Sequence, residues 1–246
     1  MSDDPGQTFI RESSYRKMPV SAQKQGQPQP PLELPYPEGA ALIPLPDPDG
    51  LILTEISLRE AIDRRRTVRK YGEAPITFEE LSYLLWATQG VKAVTALPTT
   101  LRTVPSAGAR HAIETFLVIK RVMGLERGLY RYIALHHALL ELDSSAVHCD
   151  EILRAFVQQD HILKAAATLI WAAVPARMEF RHPVRGYRYL FLDAGHICQN
   201  LYLAAEMVNC GVCALGVFDD DVLNPLLGLD GQTIFAVYAA ALGRRS

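Results

Sequence analysis

Arg64-Arg65-Arg66-Thr67-Val68-Arg69-Lys70-Tyr71, followed at once by Gly72 and then by Pro75, is the stretch from which the rest of this 246-residue chain is read. It sets five cations and a threonine hydroxyl within eight residues. An arginine guanidinium presents a rigid fork of N–H donors that matches phosphate oxygens or a planar carbonyl edge, and Thr67 adds a short-range hydroxyl. The run therefore reads as a seat for an anion. The competing reading is a solvated last helical turn, where cations complement the helix dipole by roughly a few tenths of a kcal/mol each. Upstream, Ser57 with Glu60 forms a capping box, and Leu58, Ala61 and Ile62 give a helical apolar stripe. A helix is expected to begin at Ser57 and to carry the arginine run out.

Residues 1–56 are rich in proline, glutamine and glycine and carry no helical or alternating period. This is an N-terminal arm, expected to be disordered over 1–31. Spaced apolar residues from Leu32 to Leu53 suit a segment lying extended on a folded body, or crossing to a partner subunit. Residues 57–246 form the main domain. Thr77 with Glu80 repeats the capping device, Leu81, Leu84 and Leu85 line one face, and Gly90 ends that helix. Residues 92–104 read as an irregular loop of the kind that walls a site.

Strands are expected over 114–120, 128–133, 138–143 and 166–174, the last apolar enough to be buried on both faces. Residues 149–159 read as a helix. A long helix over 186–209 carries Asp193, His196, Gln199, Asn200 and Glu206, too many polar groups for a lipid-facing span. Residues 214–218 end a strand and 233–242 form another, closed by Gly243-Arg244-Arg245.

Several tempting motifs have plainer readings. His136-His137 lies in a turn and reads as exposed loop rather than metal ligands. Cys210-Gly211-Val212-Cys213 has no second pair for zinc. Asp219-Asp220-Asp221 suits a helix start. No metal is expected. With 49% hydrophobic residues the chain can bury a sizeable core, and a net charge of −2 gives no general basic surface for nucleic acid. Four cysteines and no charged start followed by an apolar run point to the cytoplasm.

Four motifs taken together resemble the flavin-dependent nitroreductase family. They are the Arg65-Arg66-Thr67-Val68-Arg69 run before Tyr71, Pro105-Ser106-Ala107-Gly108 with Glu114, Arg185-Gly186-Tyr187-Arg188-Tyr189 with Asp193-Ala194-Gly195-His196, and Cys213-Ala214-Leu215-Gly216-Val217-Phe218-Asp219. The third is similar to the branch of SagB-type and thiazole/oxazole-forming oxidases. The resemblance implies an α+β fold, a mainly antiparallel sheet flanked by helices, in an intertwined homodimer with FMN at the interface. It also implies a hydride passed through the flavin, with NAD(P)H as a transient donor and a small molecule or peptide as substrate. Arg65 and Arg66, converging with Arg244 or Arg245, are the expected phosphate ligands, with Thr67 beside them. Arg69 is expected at the N1/C2 edge, the backbone of Gly216 and Val217 at N5, and Pro105, Ser106, Ala107 and Gly108 against the ring or ribityl chain. The branch's Lys-Tyr pair is replaced here by Arg181-His182-Pro183, and Arg110-His111 alters the pocket wall, so no catalytic base carries over. His182, Tyr187 and Arg188 stand as substrate-side candidates. The resemblance leaves two other readings open, an NAD(P)H-dependent nitro or quinone reductase and a non-catalytic flavin-binding scaffold of a peptide-modifying complex.

Overall fold

The computed structural model describes residues 4–96, 99–157 and 159–246. Nine strands stand among the described residues: β1 (Leu42–Pro44), β2 (Val91–Val94), β3 (Thr100–Arg102), β4 (Ile113–Ile119), β5 (Gly128–Ile133), β6 (Ala138–Asp143), β7 (Ala167–Ala173), β8 (Cys210–Leu215) and β9 (Phe235–Arg244). Seven form one sheet in the order β1-β6-β5-β4-β7-β9-β8, each neighbouring pair antiparallel. β2 and β3 pair separately as a hairpin, so the stretch expected as an irregular loop over 92–104 carries two short paired strands, with residues 97 and 98 outside the described part.

The central strands are buried on both faces, which explains their unbroken apolar runs. Alternation sorts their side chains into two cores. Leu117, Ile119, Leu169, Trp171, Val212 and Leu242 meet helices α3 (Phe78–Gln89) and α6 (Gly186–Met207). Phe116, Val118, Ile170, Ala239 and Ala241 meet α4 (Ala146–Arg154) and α7 (Asp220–Leu226). α3 begins with a complete Thr77/Glu80 capping box, and the short α5 (Pro175–Glu179) precedes α6. α4 starts at Ala146 and stops at Arg154, earlier than the expected 149–159, because Ser145 accepts from the His148 N–H and caps it there; residue 158 lies outside the described part.

The arginine run does not stay helical. The helix Leu58–Arg64 (α2) is capped at its start by Ser57 and ends at Arg64, and Arg65 already has extended ψ. β-branched Thr67 and Val68 favour extended backbone. From there the chain crosses β8 and β9: Thr67 bridges Val212, the Val68 N–H donates to Val212 O at 2.9 Å, and the Gly72 N–H donates to Arg244 O at 2.9 Å. Two glycines in direct register, Gly211 and Gly243, make the crossing possible. A Cβ on Gly211 would lie 2.6 Å from Val68 Cβ, and one on Gly243 would lie 2.8 Å from the Tyr71 ring. Gly211→Ala should therefore lower stability by about 1–3 kcal/mol through overpacking. An unchanged midpoint in urea unfolding would show that the run can lift without cost.

The arm packs on its own chain over the described residues, which corrects the disorder expected over 1–31 and agrees with an extended course on the folded body for 32–53. Asp4 caps α1 (Pro5–Glu12). Ser13 behind it is buried; its carbonyl accepts from Arg185 Nη1 at 3.0 Å and its hydroxyl from Arg188 Nε at 2.8 Å. Further along, Arg177 Nε donates to Pro31 O at 2.8 Å and the Leu34 N–H donates to Glu114 Oε1 at 2.9 Å. Arg131 holds the carbonyls of Leu34 and Pro35, and the Leu135 N–H donates to Glu33. β1 then pairs with β6. The composition that read as disorder is pinned by arginines far along the chain.

Candidate functional site

The extended run lays its cations along β8. Arg65 stacks on the Tyr202 ring of α6, its guanidinium carbon 5.4 Å from the ring centre. Tyr202 OH accepts the Ala214 N–H at 2.9 Å and lies 3.2 Å from Thr67 Oγ1, so one phenol ties the run, α6 and β8 together. Arg69 hydrogen-bonds the Cys213 side chain. Arg66 is exposed and pairs with no carboxylate among the described residues. At the far end of β8, the Gly216 and Val217 N–H groups are exposed with no acceptor among those residues.

The two C-terminal arginines are committed elsewhere. Arg244 forks onto Glu80, with 2.6 Å to Oε2 and 3.0 Å to Oε1, and also donates to Val208 O and Pro75 O. Arg245 pairs with Glu206 and donates to Cys210 O at 3.2 Å. Instead of converging with Arg65 and Arg66, they fasten the end of β9 to α3 and α6. Within the run, Arg64 pairs with Glu60, whereas Arg65, Arg66 and Arg69 pair with no carboxylate among the described residues.

Pro105-Ser106-Ala107-Gly108 forms a tight turn with Gly108 at φ 61°. Asp193, buried on α6, accepts the Ala107 N–H at 3.2 Å and hydrogen-bonds Ser106. Its other oxygen has no partner among the described residues, and burial raises its pKa against those two bonds. Ser106 Oγ in turn accepts the His111 N–H at 2.8 Å. Arg181 and His182 cover Gly108, where a Cβ would lie 2.6 Å from Arg181 Cδ and 2.8 Å from His182 Nε2. This turn and the arginine run are both anchored on α6, at Asp193 and Tyr202, nine residues or ~13 Å of helix apart. Neither anchor carries a local signal of its role, since each acts through a partner far away in sequence.

His111 is buried, and desolvation with the nearby Arg102 charge pushes its pKa down to about 3. The unfolded chain takes up this proton below about pH 6.5, whereas the folded chain refuses it until about pH 3. The contribution of neutral His111 is complete above the upper value and is lost as pH falls, by up to about 1.4 kcal/mol per pH unit. Burial lowers His137, His161 and His182 as well, in the same direction. Urea midpoints measured from about pH 7 to about pH 4 should fall less steeply in His111→Gln than in the parent chain.

The other motifs resolve as structure. His137, read as exposed, is half-buried and fixed between Tyr132 OH and Ser82 Oγ at 2.8 Å each; His136 is exposed. Cys210 and Cys213 point into opposite cores, so they form no pair. Asp219 caps α7 through the Asp221 and Val222 N–H groups. No cluster of three metal-ligating side chains occurs among the described residues, and no described helix is long and apolar enough to cross a membrane.

Known proteins bear out the architecture. Residues 62–244 match the model of the Nitroreductase family. A protein of Methanocaldococcus jannaschii assigned as a nitroreductase is 36% identical over 186 residues, covering 75% of this chain and 88% of its own. The trifolitoxin-processing protein TfxB of Rhizobium leguminosarum bv. trifolii is 29% identical over 133 residues, 52% of this chain and 36% of that protein. Among solved structures, a nitroreductase-type protein of Ralstonia eutropha superposes with a TM-score of 0.70 at 24% identity, over 89% of this chain and 99% of that one. A chain of the Escherichia coli microcin synthetase McbBCD complex, solved with truncated pro-MccB17, gives 0.61 at 18% identity, over 97% and 86%. A Desulfovibrio desulfuricans relative solved with FMN gives 0.54 at 18%, over 78% and 88%. These likenesses support an α+β fold with a mainly antiparallel sheet. From the span of the family match and the identity to the archaeal protein, the chain belongs to the nitroreductase family.

Proposed function

We propose that the protein is an FMN-dependent oxidoreductase of the SagB-type branch, acting on a small molecule or peptide. The observation that carries this reading is the run Arg65–Arg69, laid along β8 with guanidinium groups free of carboxylates and followed at the strand end by two N–H groups without acceptors, both among the described residues. Bound FMN supplies a two-electron centre that accepts and releases hydride. Arg65 and Arg66 fit its phosphate dianion and Thr67 a neighbouring oxygen, by charge-assisted donation. Arg69 fits the N1/C2 edge, where a fixed cation raises the reduction potential. The Gly216 and Val217 N–H groups fit N5. Pro105, Ser106, Ala107 and Gly108 form a flat seat that Asp193 holds in place. Arg244 and Arg245, neutralised by Glu80 and Glu206, brace the end of β9 rather than bind the phosphate.

A homodimer belongs to this reading. Leu58 and Ile62 are exposed on α2, where Leu58 lines a groove with Trp86, Leu203 and Met207, and Phe191 and Leu192 are exposed earlier on α6, apolar surface of the kind an obligate interface covers. The likeness to TfxB and to the microcin synthetase chain favours a peptide substrate. The identity to the archaeal nitroreductase-type protein favours a second reading, a nitro or quinone reductase fed by NAD(P)H.

Anaerobic addition of NADPH or NADH to the flavin-loaded protein separates the two. Bleaching of the yellow colour selects the reductase. A flavin left oxidised by both, but reduced by a heterocycle-bearing peptide, selects the branch proposed. Flavin bound but reduced by nothing tested would contradict both and leave a scaffold.

A further inference from the structure

Outside the run, cations without counter-charge gather where the N-terminal segment meets the Arg181–Tyr189 stretch. A cleft of about 540 Å³ opens there, lined by Arg16 and Lys24 from the segment and by Arg181, His182, Arg185 and Tyr189 from the body. No carboxylate lines it among the described residues. The nearest acid of the segment, Glu12, is taken by Lys17 at 2.8 Å and by Arg11. Arg16, Lys24 and Arg181 pair with no carboxylate among those residues, and His182 Nε2 is buried without a hydrogen-bond partner. Arg185 is fixed by Tyr189 OH at 2.8 Å and Ser13 O at 3.0 Å, which also clamps the segment in place. The like charges are felt: besides burial, Arg181, Arg110 and Arg185 all hold the His182 pKa down.

Cations gathered in a cleft without a counter-charge focus a positive potential that a bound anion relieves. Tyr15, Tyr189 and Pro183 add ring and apolar wall, and the volume is that of a small-molecule site. We propose that this cleft binds the carboxylate end of a small organic acid, seating it on Arg16, Lys24, Arg181 and Arg185 with its body directed along His182 toward Gly108. His182 Nε2 would lie 2.8 Å from a Cβ on Gly108, so the cleft abuts the turn assigned above to the flavin. The inference thus names a substrate class for the proposed function and, for the reactivity of the bound acid, rests on it. Arg16 and Lys24 lie before residue 62, where the family match begins, so the selectivity belongs to this chain's own segment.

The test compares para-nitrobenzoate with the neutral para-nitrobenzyl alcohol by calorimetry on the full-length protein. The acid should bind more tightly, by about tenfold or more, with an affinity that falls as salt rises. Arg16→Ala/Lys24→Ala, both exposed and unpaired, should erase most of that preference, and Arg181→Glu should reverse it. Equal binding of acid and alcohol, or a preference untouched by these variants, would overturn the proposal. The flavin reading fails separately: a protein that takes up no FMN yet still prefers the acid keeps the cleft and loses the chemistry.

Discussion

Arg65→Ala combined with Arg66→Ala should leave a folded protein that has lost its FMN. Each guanidinium is expected to give the phosphate a charge-assisted hydrogen bond of about 1.5–3 kcal/mol, so losing both costs about 3–6 kcal/mol, or an affinity drop of about 100-fold or more. The fold has little at stake in either side chain. Arg66 is exposed and unpaired among the described residues, and Arg65 contributes a cation–π contact with Tyr202 of about 0.5–1 kcal/mol. Circular dichroism should stay unchanged while flavin content, read from absorbance after equilibrium dialysis, collapses. Full occupancy in the folded double variant would refute the phosphate assignment. Arg244→Ala should behave oppositely, losing stability first, because it abandons the carboxylate of Glu80.

The second large effect is on the arm. Arg177 and Glu114 form an ion pair at 2.6 Å with side chains only 4% and 5% exposed. Arg177→Ala takes from the buried Glu114 carboxylate its 2.6 Å partner, leaving it to the charges of Arg102 and Arg131, and frees Pro31, which should cost about 3 kcal/mol. For a chain of this size that is a fall in Tm on the order of 10 °C. Arg177→Met with Glu114→Gln removes both charges and should recover most of the loss. The arm should report the damage as well, because Glu114 also accepts the Leu34 N–H. Limited proteolysis should then cut before residue 36 more readily in Arg177→Ala than in the double variant, which also loses the Pro31 bond but keeps a neutral acceptor for the Leu34 N–H. Equal stability of Arg177→Ala and the parent would mean that the pair contributes nothing net.

What the sequence made legible follows from where each determinant lies. α3 was readable because its capping box and apolar stripe are local, and β4, β5, β6, β7 and β9 because alternation or an unbroken apolar run marks each one. α6 was readable from its length, and its buried Asp193 as a polar exception. The fate of the arginine run was not readable. Ser57 and the apolar stripe correctly announced a helix, but its end was decided by Gly211 and Gly243, whose missing side chains let Val68 and Tyr71 lie on β8 and β9. The order of residues 4–31 was missed for the same reason: Pro31 and its neighbours have no period of their own, and the partner Arg177 stands more than a hundred residues away. Within the candidate site, the cations of the run were visible as composition. Gly216, Val217 and the Pro105–Gly108 turn were visible only through resemblance to a family. Tyr202, which joins Thr67 to Ala214, was not singled out because a tyrosine at helical spacing reads as core. The expected convergence of Arg244 and Arg245 overlooked Glu80 and Glu206, whose carboxylates take them.

The most direct measurement is the visible absorption spectrum of the purified protein, with the chromophore released by heat, identified and counted. FMN at about one per chain, retained through gel filtration, is the predicted result. A colourless protein that takes up no flavin on reconstitution would contradict the account at its centre, since the cations along β8 and the open N–H groups at its end would then serve some other anion.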